Sequence, residues 1–320
     1  MSLLGHLACS FALVPLRRLG RFVGCGLLMG AADVVPGVSG GTVALVLGIY
    51  QRLIEAIRKA AKTLVPLAKG DLRGFWAALK SLDFIFLVPL GIGIVLAVGA
   101  LAGPIETQLH DHPEEMAGLF FGLVAASIVV ALRLINQPTL VHYQLMAAVG
   151  AVVFILLGFQ SGPVQDPSLA VLVGAGALAV CAMILPGISG SFILLMIGMY
   201  SAVIGAVSDR DFVDILFVAL GAAIGLAVFS SALGWIMDRY GDLVTAAMIG
   251  LMLGSLRVLW PWPNGVGVIS EHRTEVIDGT GLSWPASGDL PAPAILAVVG
   301  ALVVIGLAKA AESLAAKERS

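Results

Sequence analysis

The sequence has few charged residues, and this scarcity excludes a soluble globular protein. Only 12% of its 320 residues are Asp, Glu, Lys or Arg, whereas 59% are hydrophobic and the mean hydropathy is +1.02. A soluble domain has about 25% charged residues, which cover its surface. A lipid bilayer accepts an apolar exterior, so this composition predicts an integral membrane protein. The formal net charge of −2 gives no reason to expect a nucleic-acid partner.

Cysteine and catalytic motifs are also scarce. The three cysteines, Cys9, Cys25 and Cys181, stand in apolar surroundings without CxxC spacing, so neither a disulfide framework nor a metal site is predicted. The polar stretch His110–Glu115 lacks distant partners that would complete a metal site, and a solvated loop is the better interpretation. The sequence contains no P-loop, HExxH or nucleophile elbow. We therefore expect neither a cofactor nor an enzyme.

Long hydrophobic runs define the membrane segments. Six runs are long enough to cross a hydrocarbon core, at 84–102, 116–135, 143–159, 213–235, 242–260 and 291–308. Two further apolar regions, 20–57 and 168–207, are each interrupted by Pro-Gly. Proline removes a backbone donor and glycine loosens the backbone, so each region is expected to be a broken helix. A re-entrant hairpin and a pair of short spans both fit this pattern.

The basic residues predict the topology. Lys and Arg flank the first broken region on both sides, so it should return to the cytoplasmic face that it left. The 103–115, 160–167 and 261–290 loops then fall outside, and both termini are cytoplasmic. The 261–290 segment is rich in Gly and Pro and is expected to be irregular. Residues 58–82 combine basic and aromatic residues, which predicts an amphipathic helix on the cytoplasmic interface.

The two broken regions are copies of one another. PGVSGGTVALVLGIY, from Pro36, matches PGISGSFILLMIGMY, from Pro186, at seven of fifteen positions. A weaker match relates Gly122, Leu123 and Ser127 to Gly250, Leu251 and Ser255. Three spans separate the two regions, so the second should enter from the opposite face. The predicted fold is therefore an all-α integral membrane protein with two inverted-topology repeats, each a Pro-Gly-broken element plus about three transmembrane helices.

These boundaries divide one membrane domain, 1–320, into five parts. They are a first repeat at 20–135, a linking span at 143–159, a second repeat at 168–262, the external loop at 261–290 and a C-terminal span at 291–308.

The residues after each break predict an anion site. The first N–H groups of a helix lack internal partners and carry the positive end of its dipole, and small residues let a phosphate or carboxylate approach them. Close helix packing and helix capping are the competing interpretations. The candidate head-group ligands are Pro36, Gly37, Ser39, Gly40, Gly41, Thr42, Pro186, Gly187, Ser189, Gly190, Ser191, Arg257 and Arg133.

Three charged residues carry alternatives. Asp33, just before the first break, is either a coupling carboxylate or a helix cap. Arg257 and Arg133 either pair with an anionic head group or extend to the membrane interface.

Three motifs together resemble a bacterial and archaeal family of polyprenyl-phosphate (undecaprenyl-phosphate) translocases of the PopT type. They are GAADVVPGVSGGTVALVLGIYQRLIEAI at 30–57, LPGISGSFILLMIGMY at 185–200 and GLMLGSLRVLWPW at 250–262. The resemblance implies a cytoplasmic (inner) membrane protein that returns undecaprenyl phosphate from the outer to the inner leaflet for envelope assembly, with proton coupling as a hypothesis. Its partners would be that lipid and the surrounding membrane lipids. The alternative is a secondary transporter of a small soluble anion.

Overall fold

The computed structural model describes residues 15–34, 38–159, 164–262, 281–286 and 288–319. Within these ranges the regular structure is entirely helical, with twelve helices and no strand. In chain order they are α1 Leu16–Asp33, α2 Gly40–Val46, α3 Tyr50–Ala68, α4 Leu72–Lys80, α5 Phe84–Asp111, α6 Pro113–Leu132, α7 Leu140–Leu156, α8 Leu169–Ile184, α9 Gly190–Met196, α10 Tyr200–Ser208, α11 Phe212–Ser255 and α12 Pro291–Arg319.

Several helices are long and apolar enough to cross a membrane. By length and composition, four described helices qualify, namely α5, α6, α11 and α12. A fifth is added if α9 and α10, which are bent by 113°, count as one span, and α7 and α8 are shorter apolar helices. The predicted all-helical, multi-pass membrane protein is confirmed at this level.

Helix α11 contains the predicted span at 213–235 and most of the one at 242–260, since the helix ends at Ser255. It is interrupted at Tyr240, whose φ of −135° and ψ of 43° are not helical. If α11 were straight, Gly225 and Met252 would be about 40 Å apart at ~1.5 Å per residue. Yet Cys181 Sγ contacts the Gly225 carbonyl, and the backbone of Gly187, only six residues further on, lies against Met252. Six residues reach about 22 Å at most, so α11 reverses direction at Tyr240.

One predicted loop and one predicted helix are wrong in extent. The loop expected at 103–115 is helical: α5 continues to Asp111, and α6 begins at Pro113 after the single residue His112. Proline at the first position of α6 needs no N–H partner, which allows this short connection. The amphipathic helix expected at 58–82 is two helices, because Gly70 adopts φ +72° between α3 and α4.

Glycines bring pairs of helices into backbone contact. A Cβ on Gly26 of α1 would overlap the Leu90 carbonyl of α5, and a Cβ on Gly30 would lie 2.6 Å from the Ile94 carbonyl. The contacts advance together along both helices, so α1 and α5 run in the same direction. Small residues are what allow membrane helices to pack this closely.

The same contact recurs 150 residues later. Gly176 of α8 lies against Val218 of α11, Gly221 against Val173, and Gly225 against Ala177. Gly26 and Gly176 are 150 residues apart, the spacing of Pro36 and Pro186. The first half of α11 therefore runs alongside α8 in the same direction.

The later helices pair in the same way. Gly118 and Gly122 of α6 lie against Pro293 and Ala297 of α12. Gly250 and Gly254, in the second half of α11, lie against α7, at Met146 and Val153. Gly122 and Gly250 belong to the weaker sequence match, and each marks a close crossing, of Gly122 with α12 and of Gly250 with α7.

The short helices α2 and α9 end alike. Gly48 and Gly198 adopt φ of +69° and +70°, a conformation that glycine reaches without a Cβ penalty. Each donates its N–H to the carbonyl three residues back, at 3.1 and 3.0 Å. The two helices therefore match in length and in termination.

Candidate functional site

The first break places its helix-capping groups on their own backbone. Pro36 and Gly37 lie outside the described residues, which resume at Val38. Asp33 Oδ1 accepts a hydrogen bond from Gly40 N–H at 2.6 Å, and Ser39 Oγ accepts one from Gly41 N–H at 3.1 Å. Two of the donors that sequence reasoning offered to an external anion are therefore occupied by the chain itself.

The first break is hydrogen-bonded to the second. Ser39 Oγ donates to the Leu185 carbonyl at 3.2 Å, and Thr42 Oγ1 accepts from Gly187 N–H at 2.9 Å. Tyr50 Oη donates to the Ile184 carbonyl at 3.0 Å. The Ser39, Thr42 and Tyr50 side chains are each 2% exposed. We call this set of contacts the junction.

The second break has a backbone that only glycine accommodates easily. Gly187 adopts φ +86°, and a Cβ there would lie 2.8 Å from the Met252 Cα. Pro186 before it is buried. The Pro-Gly pair thus ends α8 and lets the backbone approach α11 closely.

The serine hydroxyls of the second broken element, α8–α9, are more exposed than the hydroxyls of the first, α1–α2. Ser189 Oγ and Ser191 Oγ are 2.8 Å apart, and the Ser191 side chain is exposed. Gly190 is buried against the Ala179 carbonyl and the Met183 side chain of α8. Ser39 and Ser189 occupy matching sequence positions and nevertheless have different surroundings.

The chain enters and leaves the α8–α9 hairpin at neighbouring positions. Val164 N–H, five residues before α8, donates to the Gly198 carbonyl at the end of α9 at 2.9 Å. The two ends of the α8–α9 hairpin are therefore neighbours.

Asp33 borders a cavity beside the first break. The cavity has a volume of about 260 Å³ and is lined by Asp33, Gly41 and mainly apolar residues of α1, α3, α8 and α11. Asp33 is the single charged residue among the described ones that line it. The predicted cap interpretation of Asp33 is consistent with its bond to Gly40.

Arg257 belongs to a second cavity, of about 500 Å³. Its Nη1 donates to the Phe154 carbonyl at 3.3 Å, and its guanidinium lies 4.9 Å from the centre of the Phe154 ring. Five aromatic or aliphatic side chains surround it, together with Leu282, Ser283 and Trp284 from the segment before α12. We call this space the aromatic cavity.

Arg133 is remote from that cavity. It is exposed at the C-terminal end of α6, whereas Phe121, which lines the aromatic cavity, is twelve residues earlier in the same helix. Twelve helical residues span about 18 Å, so the two arginines do not share one site.

Sequence reasoning missed two features. Tyr50 completes the junction, and its identity with Tyr200 in the repeat was the available signal. Arg52 binds Asp83 at 2.7 Å, and its guanidinium lies 4.7 and 4.6 Å from the ring centres of Phe22 and Phe86, which pack edge-to-face against each other. No local pattern in the sequence indicates that cluster, because its members come from three helices.

These features define a class of protein. A helical membrane domain whose two broken helices meet in a buried, hydrogen-bonded junction has the architecture of a transporter. Within the described ranges no group of three His, Cys, Asp or Glu residues is arranged to hold a metal ion.

The chain belongs to the undecaprenyl phosphate translocase-like family (VCA0040-like), whose model matches residues 29–277. It is 42% identical, over 238 residues, to the polyprenyl-phosphate transporter of Vibrio cholerae serotype O1, covering 74% of this chain and 76% of that protein. It is 32% identical, over 253 residues, to the polyprenyl-phosphate transporter of Staphylococcus aureus, covering 74% of this chain and 84% of that one. No solved structure matches. The family and both relatives are named for translocation or transport, so the chain is a transporter and not an enzyme.

Proposed function

We propose that this protein carries a polyprenyl phosphate, in particular undecaprenyl phosphate, across the bacterial cytoplasmic membrane from the outer to the inner leaflet, so that the lipid carrier is reused in envelope assembly. The observation that supports it best is the junction, where Ser39, Thr42 and Tyr50 hold the break at Ile184–Gly187. Broken helices that meet near the membrane midplane are the usual substrate site of transporters. The printed names of the two relatives supply the substrate class.

Alternating access requires the two broken elements to have opposite orientations, and two ion pairs support this. Arg52 of α3 binds Asp83, the residue before α5, and Arg58 of α3 binds Asp238, near the end of the first half of α11, at 3.0 Å. Arg52 and Arg58 are about 9 Å apart along α3. The start of α5 and the end of that part of α11 are therefore on one side of the molecule. Helix α1 runs in the same direction as α5, and α8 runs in the same direction as the first half of α11. The elements α1–α2 and α8–α9 are therefore antiparallel.

The packing favours repeats that are larger than the predicted ones. Helix α7 packs on the second half of α11 as α12 packs on α6. We propose that α1–α7 and α8–α12 are the two halves. The span at 143–159 and the C-terminal span at 291–308 would then be the last helices of the halves.

In this conformation, the phosphate is expected to bind the second broken element, α8–α9. The donors at Gly40 and Gly41 are occupied, whereas the Ser189 and Ser191 hydroxyls are accessible. Arg257 in the aromatic cavity would supply positive charge on the outer face, because a guanidinium pairs with two phosphate oxygens at once. Arg133, at the other end of α6, is the corresponding candidate on the inner face.

Asp33 suggests how a proton would take part. Moving a negative phosphate inward is uphill by about 2.3 kcal/mol per charge per 100 mV, and proton co-entry offsets that cost. The Asp33 carboxylate holds the Gly40 donor. A protonated Asp33 accepts hydrogen bonds less strongly, so it would release that donor to the phosphate.

Reconstitution tests the function. The full chain would be placed in vesicles of phosphatidylethanolamine and phosphatidylglycerol containing a fluorescent polyprenyl phosphate, and loss of the outer-leaflet signal would be timed by an impermeant quencher. We expect the protein to accelerate leaflet exchange at least tenfold. A soluble phosphate that is transported while the lipid is not would instead support the soluble-anion alternative.

A double serine variant tests the binding residues. Ser189→Ala combined with Ser191→Ala should reduce exchange at least tenfold, because it removes both hydroxyls without adding bulk. Ser208→Ala, at the exposed end of α10, is the control and should retain the wild-type rate. Equal rates for all three proteins would place the phosphate elsewhere.

A further inference from the structure

A second cavity beside α2, which is apolar, is not lined by Asp33. It has a volume of about 250 Å³ and is enclosed by α1, α2, α6 and α12, with single contributions from Val38 and Ile105. Apart from Thr42 and Ser127, the described residues that line it are all apolar. In another protein a cavity of about 150 Å³ with an aliphatic lining holds one benzene molecule, so this volume accommodates roughly two five-carbon isoprene units.

The two polar residues are already used. Thr42 Oγ1 accepts from Gly187 N–H, and Ser127 Oγ donates to the Leu123 carbonyl at 2.7 Å within its own helix. Neither hydroxyl requires a ligand as its hydrogen-bond partner, and no charged side chain is present among the described lining residues. A phosphate or another polar solute would lose its hydration here without compensation, so the cavity suits a hydrocarbon.

The cavity connects the junction with the lipid. Thr42 belongs to both, with its hydroxyl at Gly187 and its side chain in the cavity wall. On the far wall Val304 is buried, whereas its neighbour Val303 lines the cavity and is 48% exposed on the outer surface of α12. A chain attached to a head group bound by Ser189 and Ser191, beside the junction, would pass through this space to reach the membrane.

We propose that this cavity binds the isoprene units nearest the phosphate of the transported lipid. The inference rests on the proposed function and adds a second recognition site to it, for the hydrocarbon part of the substrate. Lipid tails surround the protein, so hydrophobicity alone gives no preference for the cavity over the bilayer. Selection must come from shape, since close packing distinguishes a methyl-branched, unsaturated chain from a straight acyl chain.

Cavity-filling variants test the site. Val304→Phe and Ala31→Phe introduce rings into the cavity from opposite walls, whereas Val298→Phe makes the same change as the first at a position of α12 that is 60% exposed and does not line the cavity. Each full-length protein would be assayed in the vesicles described above with two substrates of equal carbon number, a polyprenyl phosphate and a straight-chain alkyl phosphate.

We expect the wild type and Val298→Phe to exchange the polyprenyl phosphate at least fivefold faster than the straight-chain compound. Val304→Phe and Ala31→Phe should lose this preference. If both keep it, the cavity does not bind the chain, although the proposed function stands. If the wild type exchanges neither lipid, the proposed function itself fails.

Photo-crosslinking of the unmodified protein covers the case in which a variant does not fold. A polyprenyl phosphate with a diazirine on its first isoprene unit should label residues of the cavity wall, such as Val43, Val124 and Val304. Labelling that is restricted to exposed positions such as Val298, or equal labelling of the cavity by a diazirine phospholipid, would overturn the proposal.

Discussion

Ser39 and Ser189 have the same sequence context and different chemical situations. Ser39 is buried, caps α2 and holds the Leu185 carbonyl, whereas Ser189 shares a hydrogen bond with the exposed Ser191. Thr42 faces Gly187, and its counterpart 150 residues later is Phe192, which has no hydroxyl. A duplicated motif has therefore diverged: the hydroxyls of one copy hold the buried junction, and those of the other bond to each other at the surface.

The Thr42–Gly187 bond can be tested by an isosteric change. Thr42→Val removes the acceptor and leaves the Gly187 N–H buried without a partner, which costs about 1–3 kcal/mol. We expect a lower melting temperature in detergent, measured by tryptophan fluorescence, and slower leaflet exchange. Thr42→Ser keeps the hydroxyl and should retain most of both. If the valine variant is as stable as the wild type, the bond does not hold the two breaks together.

At the scale of elements, the two broken helices are positioned by glycine. Gly24 and Gly26 in α1 correspond to Gly174 and Gly176 in α8, so the repeat extends further upstream than the Pro-Gly motif. In each pair the second glycine contacts the neighbouring helix, whereas a Cβ added at the first would meet no other atom within 4 Å. Between the break and the next long helix the second copy is 22 residues shorter, since the spacing of 150 residues falls to 128 between Gly93 and Gly221. The extra residues of the first copy form the C-terminal part of α3 and the whole of α4.

Matched glycine substitutions test this packing. The leucine side chain of Gly176→Leu would force α8 away from the Val218 carbonyl. Such overpacking should lower the free energy of unfolding by roughly 3 kcal/mol. Gly174→Leu, on the same helix but facing open space, should be tolerated. The amount of folded protein recovered from membranes and its melting temperature measure both. Equal effects would show that helix propensity and not the contact is responsible.

At the scale of the molecule, the proposed antiparallel arrangement of the two halves would determine which face each break reaches. The Arg58–Asp238 ion pair joins the halves on the side where α5 begins, and the aromatic cavity is lined by Phe121 in the first half of α6. The basic flanks of the first element predict that the ion-paired side faces the cytoplasm.

Cysteine labelling tests this orientation. In a background without the native cysteines, Lys69→Cys and Asp289→Cys place thiols at two exposed positions, before α4 and before α12. An impermeant maleimide added to intact cells should label the second and not the first. Labelling of both from the same side would contradict the inverted arrangement.

Much of this architecture follows from the sequence alone. The scarcity of charge determined the membrane environment, and the Pro-Gly pairs determined the breaks, because both effects depend on composition or on adjacent residues. The spans were predicted well, but their ends were not. Helix α5 continues through the expected loop to Asp111, since a polar surface helix outside the apolar run leaves no hydrophobic signal.

The tertiary structure decided what the polar groups do. Ser39, Thr42 and Tyr50 bond to residues 146, 145 and 134 positions away, and the packing of the two halves alone brings them together. The reversal of α11 at Tyr240 and the apolar cavity beside Thr42 likewise depend on contacts between distant helices. Local sequence thus determined where the chain breaks, and long-range packing determined which break has its hydroxyls buried against the other's backbone and which keeps its hydroxyls nearer the surface.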